Sequence, residues 1–493
     1  MSFANDLLIE NPLPGNGWKK CFALTLLWMA TALVASAQTI TTLHSFTFDD
    51  GANPNLVTPT QGGDGNIYAT TSIGGSKTVK CFCGTTFKMT PQGALTSVSF
   101  DGADGAIPDA GFLLGRNGLL YGTTSSGGAS GNGEVFRLNS QTGVLTVLHS
   151  FAGSDGASPE APLTLGPGGK YYGTTAFGGA NNFGTVFSIT PSGTFKSLHS
   201  FSGAGQGQIP SAGLTLGSNG VLYGVTYGGG INGSGTIFKI TASGIFTKLS
   251  DVAPSLGSLL LAADGNMYGT TVAGGDIGQG SVFKLTPAGV VTVLHSFDVI
   301  DGANPEAGLV QASDGKLYGT TVFGGGHGEG SIFSITTDGT VTTLYSFPSF
   351  DHVDGANPFG LMQHTDGKFY GTTSEGGTSI NCDSFDSIGC GTVFSLDLGL
   401  GPFVTFVVPS GKVGSVIQIL GTDLTGATVV SFNGVPASSF KVVRGTLIKA
   451  TLPAGATTGL VTVTTPTGTL TSNVNFTVLR KEAASQRPVL IFG

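Results

Sequence analysis

Apolar and polar residues alternate along this chain in short runs, and the runs recur in a fixed order. Between Pro159 and Phe201 the order is plain. An apolar run from Ala161 to Leu165 leads through a glycine turn to Tyr171-Tyr172-Gly173-Thr174-Thr175. A Gly-Gly loop, the run Gly184 to Thr190, a Ser-Gly turn and the run Thr194 to Phe201 follow, closing on Leu-His-Ser-Phe. Runs rich in Val, Ile, Tyr, Phe and Thr and bounded by Gly, Asn, Asp and Ser predict strands. Each unit therefore predicts four strands.

The tag Tyr-Gly-Thr-Thr or a near copy begins at Tyr68, Tyr121, Tyr172, Tyr223, Tyr268, Tyr318 and Tyr370. The mean spacing is about 50 residues, the length of a four-stranded propeller blade. Asp64-Gly65, Asn117-Gly118, Asn219-Gly220, Asp264-Gly265, Asp314-Gly315 and Asp366-Gly367 precede six tags, and Gly168-Gly169 precedes the other. These pairs suit the positive φ angles of tight hairpins.

There are seven tags, seven strands of Val-Phe type (through Phe87, Phe136, Phe187, Phe238, Phe283, Phe333 and Phe394) and seven of Ser-Phe type, two of them degenerate. The first Ser-Phe run, Thr41 to Phe46, precedes the first tag, and none follows Phe394. This offset predicts that Thr41 to Phe46 completes the last unit and closes a seven-bladed ring without open edges. An open solenoid would need polar capping repeats, and the sequence has none.

Composition agrees with many short strands and tight turns. The 493 residues include 82 Gly and 22 Pro, are 40% hydrophobic and only 10% charged, and carry a net charge of −8. That is too apolar for disorder, and without a basic run it argues against nucleic-acid partners. Lys19 and Lys20, the apolar run Cys21 to Val34 and Ala35-Ser36-Ala37 form a signal-peptide pattern with cleavage expected before Gln38. The apolar run is too short for a comfortable membrane span. The mature chain is expected to lack a transmembrane anchor and to be an exported monomer, extracellular or on the cell surface.

Tyr-Gly-Thr-Thr, Gly-Gly, Gly-Thr-Val-Phe and Asp-Gly-Ala-x-Pro at this period resemble the GloVer (Gloeo/Verruco) tandem repeat of exported bacterial proteins, over residues 41 to about 396. The pattern weakens at Gly224-Val225-Thr226 and Ala253-Pro254. Residues 402–478 resemble an IPT/TIG domain, an immunoglobulin-like sandwich. The resemblance rests on Pro409-Ser410-Gly411 with Gly414, Val416 to Gly421, Val430 to Gly434, Pro453 with Gly455-Ala456, Gly459 to Thr465 and Phe476-Thr477-Val478. Alternation in Val461-Thr462-Val463-Thr464 marks a half-buried strand. The expected organisation is a signal peptide at 1–37, an all-β propeller at 38–397, the sandwich at 402–478 and a tail at 479–493.

Candidate chemistry is sparse. The sequence has no H-E-x-x-H, G-x-S-x-G, P-loop or C-x-x-C motif, so no catalytic, cofactor-binding or metal-binding residue is assigned and no cofactor is expected. His44, His149, His199 and His295 recur at one place in four units, where Ser99, Ser250 and Tyr345 stand in the others. A metal ring would require them to face the channel; the simpler expectation is one buried hydrogen bond each. Asp50, Asp104, Asp155, Asp301 and Asp354 of the Asp-Gly-Ala-x-Pro loops could serve calcium, but one or two carboxylates beside Gly and Pro is what a plain turn needs. The tag tyrosines are expected to be packing residues rather than a ligand surface.

Four cysteines remain after cleavage, in an oxidising compartment. Cys382 with Cys390 suits a loop staple, whereas Cys81 with Cys83 would be a strained bridge. Cross-pairing between the first and seventh units would require a closed ring.

The leading functional expectation is a non-enzymatic binding or scaffold protein, with propeller loops presenting a surface to an extracellular glycan or protein and the IPT/TIG module as spacer. The alternatives are an extracellular glycan-active enzyme with its site in the propeller channel, which paired carboxylates at one channel mouth would favour, and a purely structural envelope component.

Overall fold

The computed structural model describes residues 38–76, 81–203, 205–349, 352–379, 382 and 389–479. The expected signal peptide at 1–37 and the tail beyond Leu479 lie outside the described residues.

The repeat region folds into seven four-stranded antiparallel sheets, an all-β, propeller-like arrangement. In the third sheet the strands are Thr164–Leu165, Tyr171–Thr175, Thr185–Ile189 and Phe195–Ser200. The innermost strand is shorter than the apolar run that announces it. Ala161 leaves the ladder because its carbonyl oxygen accepts a hydrogen bond from the Thr123 hydroxyl of the preceding sheet, at 3.1 Å.

That contact explains the first threonine of the tag. Thr70, Thr174, Thr270 and Thr320 likewise donate to the backbone of the next sheet, at Ala110, Ala212, Ala307 and Phe359. The second threonine works within its own sheet: Thr175 meets Thr185 at 2.8 Å, Thr226 meets Thr236 and Thr373 meets Thr392. Just before them the tag's glycine sits at a close approach, a Cβ on Gly173 lying 2.5 Å from the Phe187 ring, although the first unit accommodates a buried Ala69 there.

Thr39–Ser45 pairs antiparallel with Thr392–Asp397, placing Thr41 opposite Ser395 and Thr42 opposite Phe394. The seventh sheet thus takes its outermost strand from the start of the chain. Its inner side meets the first sheet: Thr372 donates to Val57 O at 3.3 Å, and Phe46, Tyr370 and Val393 share a core with Val57, Ile67, Phe87 and Met89. The other neighbouring sheets stack in the same way, as Tyr121, Val135 and Phe151 do on Leu163, Tyr171 and Phe187. At about 25 cal/mol per Å2 of apolar surface, this face-to-face burial is the main stabilising term.

After Gly401 two further four-stranded sheets enclose a separate core of Val404, Ile419, Val430, Phe432, Ile448, Val461, Val463 and Phe476. Burial alternates along Val461–Thr465 as the period-two pattern requires. This C-terminal module rests on the hairpin turns of the repeat region. Leu420 and Leu447 join the cluster of Tyr68 and Leu114, Thr446 donates to Gly63 O at 3.0 Å, and Thr422 meets Thr365 at 2.9 Å.

Candidate active site at the channel mouth

In an up-and-down sheet, the loop entering the innermost strand and the loop joining the second and third strands emerge on the same face. Here the two are tied by backbone pairing, as between Ala157 and Phe177 and between Ala303 and Phe323. The hairpin turns carrying the C-terminal module lie on the opposite face.

The entering loops converge on a small cavity of about 50 Å3, partly open to solvent. Its neck is formed where Thr58, Gly111, Pro162, Gly213, Ser258 and Gly308 come together. Backbones are so close there that a Cβ on Gly111 would lie 2.3 Å from Thr58 O. Two residues before each neck position comes a residue of the rim: Leu56, Asp109, Glu160, Ser211, Leu256 and Glu306. All of these except Asp109 line the cavity directly.

Three of those six rim residues are acids. Burial pushes the Asp109 carboxyl up to about 6, against the lowering effect of hydroxyl bonds from Ser72 at 2.6 Å and Ser125 at 3.0 Å, while repulsion from Glu160 adds to the rise. Glu160 is also raised by burial, partly offset by the Ser211 hydroxyl. Glu306 is raised by burial with no offsetting hydrogen bond. Desolvation favours the neutral acid in each case. The cavity lining contains no Lys or Arg to neutralise these carboxyls. A second cleft, between the fourth and fifth sheets beside Asn219, Tyr223 and Met267, has no charged lining residue.

The residues singled out from sequence lie elsewhere. His44, His149 and His295 each bond the aspartate six residues on, Asp50, Asp155 and Asp301, at 2.9, 2.9 and 2.7 Å. The imidazole is aimed there by a bulge that recurs in the outer strand pair, for example between Val135 and Phe136. Tyr345 with Asp354 repeats the pair at 2.8 Å. In the fourth unit Gln206 replaces the aspartate, and burial, only partly offset by Gln206, lowers the His199 pKa.

The loop aspartates also accept backbone N–H groups within their own turns, as Asp155 does from Ala152, and no metal-sized cluster of His, Cys, Asp or Glu occurs among the described residues. Six of the seven tag tyrosines are buried, Tyr223 being partly exposed. Their hydroxyls bond the preceding turn, as Tyr68 does to Asp64 and Tyr370 to Asp366. The disulfides join Cys81 to Cys83 and Cys382 to Cys390, each within its own loop. Among the described residues no helix is long and apolar enough to cross a membrane.

The acidic rim escaped motif reading because each acid comes from a different repeat. One signal was present: a position just after the loop proline that varies among Asp109, Glu160, Ser211 and Glu306 inside an otherwise uniform motif.

Fold and site together define an all-β repeat protein of propeller-like architecture with an acidic cavity where its loops converge. The chain belongs to the Gloeobacter/Verrucomicrobia repeat family, whose model matches residues 57–258 and 245–436. No curated protein matches the sequence.

Among solved structures, a fungal alcohol oxidase of the AA5 family in complex with copper aligns at TM-score 0.50 and 15% identity, covering 89% of this chain and 99% of its own. A gluconolactonase from Xanthomonas campestris aligns at TM-score 0.39 and 12% identity, covering 74% and 92%. A luciferin-regenerating enzyme aligns at TM-score 0.40 and 12% identity, covering 74% and 98%. These likenesses describe the fold. The expectation of a non-enzymatic binding or scaffold protein is corrected in favour of its enzyme alternative. The carboxyls at the cavity give the physical reason, since buried acids without cationic partners carry a standing cost that a scaffold does not need.

Proposed function

We propose that this protein is an extracellular glycan-active hydrolase whose site is the mouth of the propeller channel. The observation that carries the reading is that Glu160 and Glu306 line one cavity from different repeats, both raised by burial but in unequal surroundings. Environments that separate two carboxyls assign their roles. Glu306, raised by burial with no offsetting hydrogen bond, is the proton donor to the departing glycosidic oxygen. Glu160, stabilised as a carboxylate by Ser211, takes a proton from the attacking water. The sugar–oxygen bond breaks as the new bond to water oxygen forms, and the two carboxyls then exchange protons with solvent. Asp109, behind Glu160, is a positioning residue whose charge state tunes its neighbour.

The supporting frame is a seven-bladed propeller closed by the N-terminal strand, for which the pairing of Thr39–Ser45 with Thr392–Asp397 speaks. An IPT/TIG module at 402–478 completes it, supported by two sheets around one core. Export through the 1–37 segment agrees with the two disulfides.

Release of reducing ends from a polysaccharide panel tests the reading. Glu160→Gln and Glu306→Gln should each lower kcat by about 10²-fold or more while the melting temperature holds. Activity that survives both substitutions sinks it.

A further inference from the structure

Each glutamate of the mouth is accompanied by an exposed phenyl ring. Phe177 is backbone-paired with Ala157, three residues before Glu160, and Phe323 is paired with Ala303, three residues before Glu306. Their side chains are 41% and 48% exposed. The same position in four of the other units holds Ile73, Ser126, Gly228 and Ala273, and in the seventh Glu375. Phenylalanine therefore occurs there only in the two units that carry glutamate on the rim.

One exposed phenyl ring on a loop needs no explanation, but two at the same repeat position, confined to the two units that carry glutamate on the rim, offer a matched pair of apolar faces to a ligand. Both rings lie on the face where the carboxyls open, in matching positions of the third and sixth units. The lining carries acids and no base, which disfavours a polyanion by like-charge repulsion.

Resting on the hydrolase reading, we propose that the substrate is an extended, uncharged polysaccharide. It lies across the mouth with one sugar ring stacked on Phe177, another on Phe323, and the bond to be cut between them. The apolar face of a pyranose matches a phenyl face, and the ring hydroxyls are left free for the carboxyls and Ser211. Phe177 and Phe323 are specificity residues; they touch the substrate away from the reacting bond.

The test uses the chain from Gln38 with neutral β-1,4-, β-1,3- and α-1,4-glucan and mannan oligosaccharide ladders, and polygalacturonate as the anionic control. Binding is measured calorimetrically on the Glu160→Gln/Glu306→Gln protein so that turnover does not interfere. Affinity should rise with chain length for a neutral ladder and be absent for polygalacturonate. Phe177→Ala and Phe323→Ala should each weaken long-chain binding roughly tenfold, about 1.4 kcal/mol per stacked ring, and leave the shortest members unaffected.

Two outcomes separate this inference from the hydrolase reading. Hydrolysis that needs Glu160 and Glu306 but ignores both phenylalanines overturns the inference alone. Length-dependent binding through the phenylalanines with no turnover by the unsubstituted protein overturns the hydrolase reading alone. Failure of every neutral ladder to bind, or preference for polygalacturonate, also overturns the inference.

Discussion

The hydroxyl of Thr372 donates to the carbonyl oxygen of Val57 at 3.3 Å, across 315 positions of sequence. It is the same bond that the first tag threonine makes to the next sheet in five of the other units, as from Thr123 to Ala161; the fourth unit has Val225 in that place. Here it joins the last sheet to the first, so a contact that is local elsewhere becomes a link between the two ends of the repeat region.

Thr372→Val should therefore destabilise the protein by about 1 kcal/mol, through loss of the bond and a carbonyl left without it. The same change at Thr123 should have a similar effect. Denaturant unfolding checks both. An effect at Thr123 with none at Thr372 would argue that the first and last sheets part in solution.

Asp109 is predicted to make stability fall with pH. Its folded pKa of about 6 lies above the ordinary value of 3.8, so between those values the folded state holds the proton more often than the unfolded chain. Its contribution is complete below about pH 4 and is lost as pH rises through about 6. Asp109→Asn should consequently be more stable than the parent at pH 8, by about 3 kcal/mol, with the difference vanishing near pH 4. Thermal melts across that range decide the matter.

Lowered carboxyls work in the opposite direction. Burial pushes Asp50 up, but bonds from His44 and the Thr47 N–H outweigh it and leave its pKa below 3.8. Its stabilising contribution is present above 3.8 and disappears as pH falls through the folded value. Asp50→Asn should thus cost stability at pH 6 and make little difference near pH 2.

The fourth unit offers a gain rather than a loss. Gln206→Asp would give His199 the partner that His149 has in Asp155, and should raise the His199 pKa, which burial now holds down. Proton NMR titration of the imidazole reads this directly. An unchanged value would mean that the outer-strand bulge does not aim His199 at the loop.

Leu447 of the C-terminal module packs with Tyr68, Leu114 and Leu420. Leu447→Asp buries a charge in that contact and should uncouple the module, splitting one calorimetric transition into two. A single transition at unchanged temperature would show that the contact does not bind the parts together.

Much of this molecule was legible along the chain because the information was local. Strand periodicity, Asp-Gly turns and the repeated tag depend on nearest neighbours, and a fifty-residue repeat states them seven times. The placement of Thr41 to Phe46 also followed from sequence, since an unpaired first strand and a missing last one are a matter of counting. The bond partners of the two tag threonines, the aim of the histidines and the seating of the C-terminal module did not follow. They depend on which backbone atoms the stacking of sheets brings within 3 Å. The mouth belongs to this second kind. Asp109, Glu160 and Glu306 are isolated acids in three separate loops, and only the convergence of those loops removes their water and raises their proton affinity.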